Sequence, residues 1–374
     1  MDNTGSPILQ EVAAKAREIH TDSYPMSIGE LISIYRDDEM DIHPEFQRFF
    51  RWSLLQKSKF VESILLGIPI PSIFVSQRDD GVWDVVDGVQ RLSTIFEFVG
   101  VLKNEKGKAV PASELIGTEY LPALEGMVWQ DDTNPEHAFP ESLRIDFKRA
   151  KLDLQILKRE SDEDTKYDLF QRLNTLGSRL SDQEVRNCLL VMLRREMYEW
   201  LSKLSEYEPF REAISLTDRA LEERYDMELA LRFVILTRIL EKEAQGVKDI
   251  DAFITTQMRQ LAQDESFDFE IEARIFKKTF KALFDVCDGP CFTRQDEGRG
   301  RGGFLISVFE VAAAGLGWAV RKSPDRAIDT TALKTAYGSV AANAVFRKYS
   351  GSGRSASSRM PRLVPLGRKL FGSV

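Results

Sequence analysis

The sequence predicts an α+β protein, with a small mixed sheet and helices in an N-terminal domain followed by an all-helical C-terminal domain. Three observations predict it. In Val82–Phe98, apolar residues alternate at Val82, Val85 and Val86, Asp87-Gly88 breaks the run, and Leu92, Ile95, Phe96 and Val99 recur at helical spacing, so the segment reads strand, tight turn, helix. Lys151–Leu157 alternates Leu152, Leu154 and Ile156 with polar residues, as a half-buried strand does. Beyond about residue 195 strand signals nearly vanish, and helical periods cover 192–204, 226–245, 250–263, 270–287, 303–320 and 331–348.

Residues 1–25 read as a polar leader with a short helix over Ile8–Ile19. Ser27 then caps a helix carrying Leu31, Ile32 and Tyr35. Pro44 holds His43 extended, so Asp41–Arg48 is a strand or a solvated loop. Ser53–Gln56 is a capping box, opening a helix that ends at Leu66 before Gly67. Ile68-Pro69-Ile70-Pro71 leads rigidly into a strand over Ser72–Ser76, and Arg78–Gly81 turns it into the strand that ends at Asp87. Residues 104–149 read as loops and short helices, and Trp52, Trp83 and Trp129 as core or strand-face residues. Ser161–Asp164 opens a helix that Gly177 can end, and Ser181–Glu184 is a second capping box before Val185, Leu189, Leu190 and Leu193. The domains are thus a leader (1–25), an α+β domain (26–195), a helical domain (196–348) and a basic, partly flexible tail (349–374).

Composition narrows the function classes. A net charge of −8 excludes a generally basic nucleic-acid coat, so any DNA contact must be regional. Two regions qualify. One is the flexible loop Gly298–Gly303, with Arg299 and Arg301; the other is the tail, where Arg354, Arg359 and Arg362 occur with no acidic residue after Arg347. For the tail, a solubilising end is as good a reading as DNA contact. Three cysteines and the lack of an apolar leader point to a reducing cytoplasm and away from a disulfide framework. The apolar run Phe304–Val320 is interrupted by Glu310 and too short to span a bilayer, so no membrane partner is expected. Three scattered histidines leave no paired zinc spacing.

The strand-to-helix turn places Asp87, Gln90 and Arg91 at a helix N-terminus, where unpaired N–H groups attract phosphate. Arg48, Arg91 and Arg172 are suited to forked phosphate contacts. Asp87 or Glu184 suits a Mg²⁺ ion or an ordered water. The plainer readings are a turn for Asp87-Gly88 and a capping-box acid for Glu184.

Four motifs then occur in order: Phe46-Gln47-Arg48, Glu62 to Pro71, Asp87-Gly88-Val89-Gln90-Arg91-Leu92, and Phe170-Gln171-Arg172-Leu173-Asn174-Thr175 with Leu180–Glu184. Together they resemble the N-terminal domain family of GmrSD-type restriction endonucleases, within the ParB/sulfiredoxin-like superfamily, over roughly residues 26–195. The resemblance implies a ParB-like α+β core, binding or hydrolysis of a nucleoside triphosphate with Mg²⁺, and a role in defence against foreign, often modified, DNA. By motif, Asp87, Gln90 and Arg91 take the catalytic positions, with Asp87 as the metal ligand. Gln47, Arg48, Gly88, Arg172, Asn174 and Glu184 take nucleotide- or phosphate-binding ones. Val89 replaces the family's first glutamine and removes a polar contact there. Many relatives append an HNH nuclease, which needs a histidine base, and no histidine follows His137 here. The expected function is a nucleotide-hydrolysing, DNA-directed defence component, partnered by DNA, a nucleoside triphosphate and an effector subunit or a second copy of the chain. The rivals are a non-enzymatic sensor or adaptor for a separate nuclease or toxin, and a ParB-like domain that nicks DNA itself.

Overall fold

The computed structural model describes residues 20–42, 52–104, 107–159, 182–287, 289–296, 299–301, 303–351 and 353–374, with Ile8 and Glu11 besides. Two compact units divide between Leu180 and Ser181.

In the first unit, β1 (Thr21–Ser27), β2 (Met40–Asp41), β3 (Ile73–Gln77), β4 (Trp83–Asp87) and β5 (Lys151–Leu157) form one mixed sheet, in the order β1-β5-β3-β4-β2. β1 pairs antiparallel with β5, β5 parallel with β3, β3 antiparallel with β4, and β4 parallel with β2. The polar leader was not expected to hold a strand. β1 escapes a periodicity reading because it lies on the sheet's edge, carries Pro25 and exposes every side chain before Met26, so alternation has no buried face to mark.

The expected caps form. Ser27 Oγ accepts the Glu30 N–H at 3.2 Å and starts α1 (Ile28–Arg36). Ser53 and Gln56 exchange both capping-box bonds at the start of α2 (Leu54–Leu66), at 3.3 and 2.8 Å, and Gly67 ends it at φ 67°. Along α2, Glu62 is buried for a structural reason. Its Oε1 accepts the N–H groups of Tyr120 and Leu121 at 3.2 and 3.0 Å, and the Thr118 hydroxyl as well, anchoring that loop.

Arg78, after β3, fixes the sheet's other side. It donates to Asp84 Oδ2 and Asp41 Oδ2, both at 2.8 Å, joining the β3–β4 turn to β2. Burial works against its charge, and the Asp84 and Asp41 carboxylates more than offset that, raising the guanidinium pKa further. α3 (Val89–Phe98) buries Leu92, Ile95, Phe96 and Phe98. Tyr35 stacks on Phe96 at 4.2 Å, and Phe98 packs edge-on against Trp129 and Phe139 at 5.6 and 4.9 Å. Residues 104–149, with a 3₁₀ turn at Pro122–Leu124 and α4 (Glu141–Arg149), thus supply aromatic core despite their weak periodicity.

The second unit is helical: α5 (Asp182–Ser205), α6 (Glu208–Ile214), α7 (Asp218–Glu222), α8 (Tyr225–Arg238), α9 (Glu241–Gln245), α10 (Ile250–Gln263), α11 (Phe269–Cys287), α12 (Ile306–Lys322), α13 (Thr330–Val340), α14 (Ala344–Tyr349) and α15 (Ala356–Phe371). α5 breaks at Arg194, which leaves helical geometry at φ −159°, ψ 86°. Phe210, Phe233, Phe276, Phe280, Phe292 and Phe309 are fully buried and form the core. Arg299–Arg301, from the basic stretch, form β7, which pairs antiparallel with β6 (Arg294–Asp296), a ribbon too short and glycine-rich to leave a strand pattern in the sequence.

Nor is the chain's end a loose tail. α15 buries Met360, Leu363, Val364 and Phe371. It lies so close to α12 that a Cβ on Gly367 would sit 2.4 Å from the Val311 carbonyl oxygen, and one on Gly315 would sit 2.6 Å from the Gly367 carbonyl. Glu310, the charge interrupting the apolar run, is buried and accepts two bonds from Arg359, at 2.6 and 2.9 Å.

Two substitutions test this contact by urea unfolding. Gly367→Ala should destabilise the protein by about 1–3 kcal/mol through overpacking. Glu310→Ala should cost about 3–5 kcal/mol by stranding a largely buried guanidinium. Unchanged midpoints would contradict the packing.

Candidate functional site at the strand-to-helix turn

The turn from β4 into α3 depends on Gly88. Its φ of 100° is one that other residues adopt only under strain, and a Cβ there would fall 2.5 Å from Ile73 Cδ1 and 3.3 Å from its Cγ2. No side chain caps α3, whose first intrahelical bond runs from Leu92 N to Gly88 O at 2.9 Å. The N–H groups of Val89, Gln90 and Arg91 therefore lack intrahelical acceptors at the positive end of the helix. Along the β2 side of β4, pairing among the described residues stops at Asp84, three residues short of Asp87.

Arg91 faces back across this turn. Its Nη2 donates to Asp87 Oδ2 at 2.6 Å, and its Nη1 donates to the carbonyls of Pro71 and Ser72, the latter at 3.0 Å. One guanidinium thus ties the entry to β3 to the exit of β4. The Arg91 side chain is 12% exposed and that of Asp87 46%, so the carboxylate is the solvent-facing partner. Gln90 reaches elsewhere: its Oε1 accepts the Trp52 N–H at 3.0 Å, fixing the residue that leads into α2. Trp52 in turn packs edge-on against Phe60 at 5.3 Å. Val89 packs against the hydrophobic core.

The structure thus brings Asp87, Gly88, Gln90 and Arg91 together at one turn. Gln47, Arg48, Arg172 and Asn174 lie outside the described residues. Glu184 stands in the first turn of α5, and its side chain is likewise outside them. Arg299 and Arg301 lie on β7, again without described side chains. Arg354 and Arg362 are exposed, whereas Arg359 is committed to Glu310. Among the described residues no three His, Cys, Asp or Glu side chains gather as a metal cluster. Cys291 is buried, and its hydrogen bond with Cys287, together with burial, pushes its thiol pKa up.

Sequence reasoning missed a buried polar network next to Glu184. Arg186 Nη2 donates to Glu228 Oε2 at 2.6 Å and Arg186 Nε to Gln183 Oε1 at 3.2 Å, while Gln183 Nε2 donates to Asn187 Oδ1 at 2.8 Å. Arg232 Nε adds a bond to Glu228 at 2.5 Å. Desolvation alone would raise the Glu228 pKa, but the Arg232 and Arg186 charges overcome it and leave the pKa lowered. The available signal was polar residues at Gln183, Arg186 and Asn187, one helical turn apart, amid the apolar residues of α5.

No curated protein and no solved structure matches the chain. A family model does: residues 28–191 match the N-terminal domain of the GmrSD restriction endonuclease. The matched segment contains the sheet from β2 to β5, the Gly88 turn and the Arg91 contacts, and runs on into the first half of α5. No helix among the described residues is long and apolar enough to cross a membrane. Over residues 28–191 the chain is thus similar to the N-terminal domain of the GmrSD restriction endonuclease.

Proposed function

We propose that the chain is a nucleotide-binding and nucleotide-hydrolysing, DNA-directed component of a restriction-type defence system. The observation that carries the reading is the Gly88 turn, where three N–H groups at an uncapped helix start lie beside the Arg91–Asp87 pair. In this reading the Val89, Gln90 and Arg91 amides receive a terminal phosphate, and the remaining N–H donors of Arg91 add a charge-assisted contact. By motif, Gln47, Arg48, Arg172, Asn174 and Glu184 are the further nucleotide-binding candidates.

Asp87 fits a Mg²⁺ ion of the kind that nucleotides carry. A single half-exposed carboxylate, bonded to Arg91 through Oδ2, suits an ion held mainly by phosphates and water. Bound there, the ion would neutralise charge on the phosphates. The protein's own part is to hold that carboxylate in place through Arg91 and to keep the turn rigid through Gly88. DNA contacts fall to Arg299, Arg301, Arg354 and Arg362, with an effector subunit or a second copy of the chain as further partner.

A non-enzymatic sensor or adaptor is the second reading. Two observations favour it: Val89, apolar and half-buried, packs against the core, and Arg91 already spends three donors within the fold.

Phosphate release from each of the four ribonucleotides with Mg²⁺, with and without plasmid DNA, separates the two. Turnover by the wild type that falls at least about a hundredfold in Asp87→Asn and Arg91→Lys is the expected result. A well-folded wild type that binds nucleotide without turnover would leave the sensor reading and remove the enzyme. Gly88→Ala should lower stability by more than about 1 kcal/mol in thermal unfolding, because φ and the Ile73 contact both oppose it. Nucleotide affinity should fall with it.

A further inference from the structure

α11 carries a feature that no sequence motif and no family match touches. Its buried face is made by Ile275, Phe276, Thr279, Phe280 and Leu283. Its other side presents Arg274, Lys277, Lys278 and Lys281, at spacings that put all four on one stripe of about two turns. With Tyr207 and Glu270 they line a groove of about 730 Å³, open to solvent. Four cations line the groove against the lining carboxylate of Glu270 and the adjoining carboxylates of Asp325 and Asp285, a local positive excess in a chain of net charge −8.

The four are held differently. Lys278 is part of the floor: its ammonium donates to the carbonyls of Pro324 and Arg326, both at 2.6 Å. Arg274 meets Asp325 at 3.4 Å and Lys281 meets Asp285 at 2.5 Å, but all four of these side chains are about half exposed or more. Such exposed pairs contribute about 0–1 kcal/mol, so a phosphate can replace the carboxylate at little cost. The Lys277 ammonium lies 6.0 Å from the centre of the Tyr207 ring, which forms the groove's wall. No Asn or Gln lines the groove, so the side chains that read adenine edges bidentately are missing from it.

We propose that this groove is a docking surface for the sugar–phosphate backbone of DNA, with Arg274, Lys277 and Lys281 on successive phosphates and Tyr207 against the sugar edge. The stripe from Arg274 to Lys281 covers eight residues, or about 10 Å of helix, which matches about three nucleotides of one strand at 3.4 Å each. Binding there is independent of sequence and steep in salt, and it positions the chain without specifying a site. The proposal rests on the DNA-directed reading above and gives that reading its place on the second unit.

The test is fluorescence anisotropy of a short labelled duplex with the full chain, over a salt series from about 50 to 200 mM. Lys277→Glu/Lys281→Glu should weaken binding at least about tenfold and flatten the slope of log K against log salt by about 2, since each lost phosphate contact removes about 0.9. Lys277→Gln/Lys281→Gln, milder for folding, should flatten the slope by the same amount. Lys108→Glu, an exposed lysine of the first unit, should change neither beyond the general effect of net charge. Wild-type binding that both groove variants leave intact in affinity and slope would overturn the groove while leaving the DNA-directed reading standing. A wild type with no affinity for DNA at the lowest salt would overturn both.

Discussion

The candidate site depends on one guanidinium. Arg91 reaches from the first turn of α3 to the Pro71 and Ser72 carbonyls on one side and to Asp87 on the other, so the start of β3 and the end of β4 are held to the same group. Each carbonyl would otherwise need another partner, and the Asp87 carboxylate would face solvent without a counter-charge. Gly88 makes the arrangement possible, because only a residue without Cβ turns the chain this tightly under Ile73. A pattern that reads as ligand chemistry is thus first a structural device, and any ligand must share it.

The second unit repeats the theme of a buried carboxylate organising helices. Glu228 collects Arg186 of α5 and Arg232 of its own helix, Glu272 collects Arg238 and Arg321, and Glu310 collects Arg359. In each case an arginine fork satisfies a carboxylate that burial alone would penalise. Removing either partner leaves a charge inside. These contacts specify which helices lie together, with the close approach of Gly315 and Gly367 setting how near they come.

Local grammar was legible in the sequence; tertiary commitment was not. Ser27, the Ser53–Gln56 box and Gly67 act as read because capping is decided within four residues. The Asp87–Arg91 turn was visible for the same reason. β1 was not visible, since an edge strand with one buried side chain carries no alternation. Nor could charge count alone show that Arg359 faces inward: Glu310 lies 49 residues away, and only packing joins them. Glu62 stood inside a recognised motif, yet its anchoring of Tyr120 and Leu121 crosses 58 and 59 residues. The cationic stripe of α11 was present in the sequence, but Tyr207, which walls the groove, comes from the stretch between α5 and α6.

Hydrogen exchange over Pro71–Val99, with and without a saturating nucleoside triphosphate and Mg²⁺, tests the central claim most directly. If the Gly88 turn receives phosphate, the ligand slows exchange at the Val89, Gln90 and Arg91 amides, which lack intrahelical acceptors, more than at the already bonded amides of Leu92–Phe98. Nucleotide binding that protects other segments and leaves these three amides unchanged would contradict the account, and would make the Arg91 contacts purely architectural.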